Sequence, residues 1–203
     1  MAVTEIALLR FKSQAPSSAA KSGLRQAKEA QAEWSGYPVQ FALQIEDPAF
    51  FYLLGGWKSV ATHRGEWVPS EINQRLLGQL KDDIVVEWMF HLEIDPATST
   101  IPLNAPVIAI SRYFVEPSKK ADFDRAFKAG SPYLGTHTAP FSYSGGWRID
   151  KEGDNEEFVL FSGWNKVEDH FGFAETEGFK EFGKIKDAIK AAEIKHVCLE
   201  KWE

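Results

Sequence analysis

Phe51-Tyr-Leu-Leu-Gly-Gly-Trp57-Lys-Ser-Val-Ala-Thr-His63 returns later in the chain as Phe158-Val-Leu-Phe-Ser-Gly-Trp164-Asn-Lys-Val-Glu-Asp-His170. The Trp, the following Val and the His all recur at one offset of 107 residues. In both copies an apolar run reads as a strand, Gly-Trp ends it, and a helix start follows. A repeat this long within 203 residues predicts two homologous halves, 1–96 and 105–203.

The first half orders itself around its copy. Residues 4–11 alternate as a strand, with Ile6, Leu8 and Arg10 on one face and Ala7, Leu9 and Phe11 on the other. An Ala-, Lys- and Gln-rich run predicts a helix over 18–34, stopped by Ser35-Gly-Tyr-Pro38. Residues 39–46 and 50–55 are the next two strands, joined by Asp47-Pro48. Ser59 can cap a helix that 66–69 interrupt and 70–81 resume, with Ile72, Leu76, Leu77 and Leu80 at helical spacing. Residues 84–93 form a fourth strand with Ile84, Val86, Trp88, Phe90 and Leu92 on one face and Glu87, His91 and Glu93 on the other. The order β-α-β-β-α-β is the ferredoxin-like arrangement, an α+β fold with helices on one side of an antiparallel sheet. Its open face must be covered or stay wet.

Residues 94–106 carry the Pro, Ser and Thr of a linker, after which the pattern restarts at 107–115. Ile6–Phe11 aligns with Ile108–Tyr113 at an offset of 102, so Arg10 answers to Arg112. A shorter helix is expected over 119–129, an irregular segment over 130–140, and strands over 141–149 and 157–162. Asn165-Lys-Val-Glu168 has capping-box spacing, Phe171–Phe173 breaks the helix it opens, and 178–192 resumes it. Residues 191–202 are the last strand, which matches His91 and Glu93 to Cys198 and Glu200.

A net charge of −6, 44% hydrophobic residues and a single cysteine describe a soluble globular chain expected in a reducing, cytoplasmic setting. No basic block points to nucleic acid, and no apolar run is of membrane length. Gly-rich phosphate loops, serine nucleophile elbows and zinc-protease spacings are absent.

The strand, Gly-Trp, Val and His pattern, followed by a broken helix carrying Phe173 and Phe179, resembles the dimeric α+β barrel superfamily. The nearest flavour is that of the antibiotic biosynthesis monooxygenase-like and EthD-like domains, here in tandem. The resemblance implies two ferredoxin-like units pairing their open sheet faces, within one monomeric chain. Members include cofactor-free monooxygenases on polyphenols, haem-degrading enzymes, isomerases, dehydratases, and proteins with no known reaction. Haem-degrading members use an Asn on the first strand, where this chain offers Arg10 and Arg112. The implied function is a cofactor-free enzyme, such as a monooxygenase or cyclase of secondary metabolism, on an aromatic or polyketide-like molecule. The alternatives are a non-catalytic ligand-binding or stress-responsive barrel and, behind it, a haem binder.

Trp57 and Trp164 read as wedges between helix and sheet or as cavity walls. His63 and His170 are helix-start histidines bonded to backbone, or acid–base groups at a pocket mouth. Glu87 and His91 form an ion network with Arg10 and Arg112, or a base and its orienter. His196 and Cys198 share a strand face but lack further ligands, so no metal is expected. The second half diverges most around Tyr133, His137, Tyr143 and Trp147, which close a barrel end or build an aromatic pocket. The expected catalytic set is His170, His137 and Arg112, with Tyr113, Tyr133, Tyr143, Trp147, His91, Glu87 and His63 contacting the ligand.

Overall fold

The computed structural model describes residues 1–13 and 16–200. The expected ends of the last strand at 202 and of the second half at 203 lie outside the described residues. The chain divides into two compact units, Met1–Ser99 with Leu199 and Glu200, and Thr100–Cys198. Glu200 joins the first unit by donating its backbone N–H to the Phe41 carbonyl. Among the described residues no helix is long and apolar enough to cross a membrane.

The first unit runs β1 (Val3–Phe11), α1 (Ser18–Ser35), β2 (Gln40–Gln44), β3 (Phe50–Trp57), a π-type turn (Thr62–Trp67), α2 (Glu71–Leu80) and β4 (Ile84–Leu92). Its strands are hydrogen-bonded in the order β4-β1-β3-β2, all antiparallel. The Ser17 and Ser70 side chains cap α1 and α2 by accepting backbone N–H groups at Ala20 and Asn73. Ser59 accepts the Thr62 N–H and so starts the turn that carries His63. The helices cover a core of Ala7, Leu9, Phe11, Leu24, Phe41, Phe51, Leu80 and Ile84. That list splits the expected faces of β4. The β1–β4 pairing shifts register between Leu8 and Leu9, so β4 bulges and Ile84 turns to the helices while Phe90 faces away with Ile6.

The second unit repeats the order as β5 (Val107–Val115), α3 (Lys120–Thr138), β6 (Tyr143–Trp147), β7 (Glu156–Trp164), α4 (Val167–Phe173), α5 (Glu177–Phe182), a 3₁₀ turn (Gly183–Asp187) and β8 (Ile189–Leu199). The strand order is β8-β5-β7-β6, the ferredoxin-like order again. Its core includes Tyr113, Phe123, Leu134, Trp147, Phe158, Trp164, Phe173 and Phe182.

Four expectations change here. Residues 130–140 are helical as far as Thr138, because burial of Gly130, Ser131, Leu134 and Thr138 outweighs the helix-breaking tendency of Pro132. The helix expected over 178–192 stops at Phe182, and β8 begins at Ile189. No side chain caps α4, so the capping-box spacing at 165–168 is unused. The strand register also differs from the sequence alignment. Val3 pairs with Trp57 and Val107 with Trp164, which places Glu5 opposite Gly55 and Ala109 opposite Ser162. Arg112 therefore answers to Leu8 rather than Arg10, and His91 answers to His196 rather than Cys198.

Candidate functional site

Both units build the same motif at the end of the third strand, with different chemistry. In the first, the wholly buried Trp57 donates its indole N–H to Glu5 Oε2 at 2.7 Å. Gln31 on α1 donates its side-chain amide to the same oxygen at 2.7 Å. His63 stacks on Trp57 with centroids 4.3 Å apart and rings 5° from parallel. A 2.7 Å hydrogen bond joins its Nδ1 to Nε2 of His91, and its own Nε2 lies 3.8 Å from Glu5 Oε1. Burial pushes the Glu5 carboxyl above its ordinary range, opposed by hydrogen bonds from Trp57 and Gln31 and by the nearby His91 and Arg64. His63 and His91 are both buried in this network.

In the second unit Trp164 donates its indole N–H to Ser162 Oγ at 2.9 Å. His170 stacks on Trp164 at 4.7 Å and 26°, and a 2.8 Å hydrogen bond joins its Nδ1 to Nε2 of His196. The acidic residue is gone, because Ala109 holds the place of Glu5. His170 here borders a cavity of about 620 Å³ between the sheet and the helical segments. Ser111, Tyr113 and Ser162 supply polar groups, while Phe171, Phe173, Phe179 and Phe182 supply aromatic wall. Few polar groups in an apolar concavity is the usual make-up of a small-molecule site. Desolvation pushes the Tyr113 phenol up to about 12 although Ser111 hydrogen-bonds it, so Tyr113 is a neutral hydrogen-bonding group there.

Burial, and then the neighbouring His196, push His170 down from 6.5 to about 4, so the ring is neutral near pH 7. Between those two values the unfolded chain binds the proton that the folded site refuses. The contribution of His170 to stability is thus complete above about 6.5, falls as the pH drops toward 4, and levels off below. The urea midpoint of the protein should decline over that window, and His170→Gln should flatten the decline. An unchanged slope in the variant would show that the neutral ring is not what titrates.

Of the residues expected to act together, the structure brings only His170 and Tyr113 to this cavity. His137 is exposed and borders a separate 270 Å³ pocket with Asn165, Glu168 and Asp169. Arg112 lies on the opposite face of β5 from Ser111 and Tyr113, where it donates to Glu157 at 2.5 Å and Glu193 at 3.0 Å. Arg148 donates to the other oxygen of Glu157, so Arg112 serves an ion network instead of lining the cavity. Glu87 accepts from Arg10 at 2.6 Å, and its partner is not His91. Tyr133 is 47% exposed on α3 and Tyr143 packs against the second core, with neither bordering the cavity. Trp147 is held by Asp124 at 2.9 Å with Lys120 over its ring, a packing role. Among the described residues no three His, Cys, Asp or Glu side chains are grouped to hold a metal. Ser111 and Ser162 were not among the expected site residues, and His196 was expected beside Cys198 rather than bonded to His170. Ser162 was visible as the residue replacing Gly55 in the repeat, and His196 would have emerged from the correct register.

Two ferredoxin-like units in one chain, one of them hollow, define a tandem α+β architecture. Solved structures share it over nearly the full length. A candidate monooxygenase from Lactobacillus acidophilus matches with TM-score 0.66 and 11% identity, over 98% of this chain and 94% of its own. A candidate monooxygenase from Fusobacterium nucleatum gives 0.69 and 12%, over 98% and 93%. A chlorite dismutase variant from Candidatus Nitrospira defluvii gives 0.60 and 9%, over 98% and 91%. No family model matches the chain, and no curated protein matches it in sequence. The chain shares the α+β fold of these structures, with ferredoxin-like repeats in tandem.

Proposed function

We propose that the second unit is a cofactor-independent enzyme site for an aromatic or polyketide-like small molecule, with His170 as its proton-exchanging group. The observation that carries this is the neutral, His196-backed imidazole bordering a phenylalanine-walled cavity. Phe171, Phe173, Phe179 and Phe182 suit a flat ring by size and by edge and face contacts. Tyr113 and Ser111 suit its oxygen substituents. The depressed basicity of His170 selects the ligand, since each unit of mismatch between base and proton source costs about 1.4 kcal/mol. Only protons that are already acidic, such as those of polyphenols or of a methylene between two aryl rings conjugated to a carbonyl, suit such a base. Loss of that proton leaves an electron pair on the ligand carbon, which can reduce dioxygen. The methylene then becomes a carbonyl and one water leaves, with O₂ as the co-reactant. An anthrone oxidase-like protein is among the structures of this fold, at TM-score 0.64 and 10% identity, covering 98% of this chain and 92% of its own.

A second reading is favoured by the same histidine. An imidazole held at Nδ1 by another residue and bordering an apolar cavity would suit haem iron, and haem would supply redox chemistry when bound. The apolar wall fits a macrocycle, and His170 and His196 are the residues that would hold it.

One experiment separates the two. Oxygen uptake is followed with 1,8-dihydroxyanthrone as substrate, in the wild-type protein and in His170→Ala and His137→Ala. The leading reading expects His170→Ala to lose about a hundredfold in turnover and His137→Ala to stay near wild type. Turnover unaffected in His170→Ala sinks it. A Soret shift on adding hemin, absent from His170→Ala, would put the second reading in its place.

A further inference from the structure

The two units differ at one pair of facing positions, and the difference points to the charge of the ligand. In the first unit Glu5 faces Gly55, and its carboxylate takes the Trp57 N–H, the Gln31 amide and the approach of His63. The surrounding side chains leave little room there, because a Cβ on Gly55 would lie 3.2 Å from Glu5 Oε2 and 2.7 Å from Gln31 Nε2. In the second unit Ala109 faces Ser162, while Trp164, His170 and His196 repeat the surrounding groups. The acidic oxygen is therefore missing from a setting in which the Trp and both His are repeated, and the 620 Å³ cavity opens beside it.

Two hydrogen-bonding groups are left over at that spot. Ser162 is 1% exposed, and its oxygen accepts from Trp164, which leaves the hydroxyl hydrogen free to donate. Among the described residues nothing accepts it. His170 uses Nδ1 on His196, and Nε2 has no protein partner among the described residues. Both residues border the cavity. A buried donor gains most from an ionised acceptor, because charge-assisted hydrogen bonds are roughly twice as strong as neutral ones. At the rim, Lys180, Lys184 and Lys186 border the cavity with only Asp187 against them, although Lys180 and Lys184 also pair with Glu177 and Glu181.

We infer that the cavity receives an anionic oxygen of an aromatic acid between Ser162 and His170, where the first unit has built in its own carboxylate, Glu5. Ser162 donates its hydroxyl hydrogen to that oxygen, and His170 donates from Nε2 in the tautomer whose Nδ1 accepts from His196; the other tautomer leaves Nε2 free to take a proton, as the proposed function requires. The inference rests on the reading of the cavity as a ligand site. Ser162 and Ala109 then set specificity, the first by donating and the second by leaving room.

The test is binding of two probes of one shape, 2-naphthoate and 2-methylnaphthalene, measured by quenching of tryptophan fluorescence at pH 7. The naphthoate should bind about tenfold more tightly, and Ser162→Ala should erase about tenfold of its affinity while changing the hydrocarbon less than about twofold. The pair Ala109→Glu with Ser162→Gly transplants the first unit's carboxylate and should abolish naphthoate binding, with circular dichroism confirming the fold. Equal affinity for both probes, or naphthoate binding indifferent to Ser162→Ala, overturns the anion and leaves the cavity reading standing. If neither probe binds, the cavity reading and the inference fall together.

Discussion

Replacing Glu5 with alanine lowers the stability of the first unit by about 3–5 kcal/mol, the range for breaking a buried polar network by removing one partner. Glu5 is 4% exposed and its side chain accepts from two buried donors, the Trp57 indole and the Gln31 amide. Each donor stranded without an acceptor costs about 1–3 kcal/mol, and the vacated volume adds to that. Gly55→Ser alone should also destabilise, because its Cβ would press on Gln31 Nε2 at 2.7 Å and Glu5 Oε2 at 3.2 Å. Together the two changes should cost less than Glu5→Ala alone. The new hydroxyl would take the Trp57 N–H just as Ser162 takes that of Trp164, and the obstructing carboxylate would be gone. Urea unfolding followed by tryptophan fluorescence gives the double-mutant cycle. Simple additivity of the two costs would mean that the units do not solve the same problem in two ways.

That exchange also shows how far the sequence could be read. The Gly-Trp, Val and His stretch located β3 and the following helical turn in both units because strand end, break and helix start carry strong local signals. Pairing partners carried none. Arg10 and Arg112 aligned by identity, yet hydrogen-bond register displaces β5 by two residues from that alignment. An even displacement keeps every side chain on its correct face, so the faces of β1 and β5 were legible while their neighbours were not. The same slip hid His196, which pairs with His170 across |i−j| = 26 much as His91 pairs with His63 across 28. The bulge in β4 is a tertiary event with no composition signal, and it separated Glu87 from His91. The cavity was illegible for a related reason. Phe179, Phe182 and Ile185 have the spacing of a buried helix face, and whether such a face closes on the sheet or stands off it depends on the neighbouring helix.

Gly130 decides that spacing, and Gly130→Ala should weaken ligand binding although Gly130 itself does not line the cavity. A Cβ there would lie 2.6 Å from the Phe182 Cα, 3.0 Å from its backbone N and 3.1 Å from the Glu181 carbonyl oxygen. These are backbone atoms, so no rotamer change relieves the contact, and α5 must move away from α3. The expected loss is about 2–3 kcal/mol, at the upper end for overpacking a close-packed interior. Another glycine of the same unit supplies the control. Gly172 has no atom within reach of an added Cβ, so Gly172→Ala should leave stability near wild type or raise it slightly through helix propensity. Phe182 packs in the second core and also borders the cavity, so displacement of α5 shifts the wall on which an aromatic ring would lie. Affinity for 2-methylnaphthalene should therefore fall about tenfold or more in Gly130→Ala, since a displaced wall forfeits dispersion contacts across its whole area. Wild-type affinity in that variant, together with an unaltered urea midpoint, would mean that α3 and α5 accommodate the methyl group by sliding and that the cavity does not depend on their close approach.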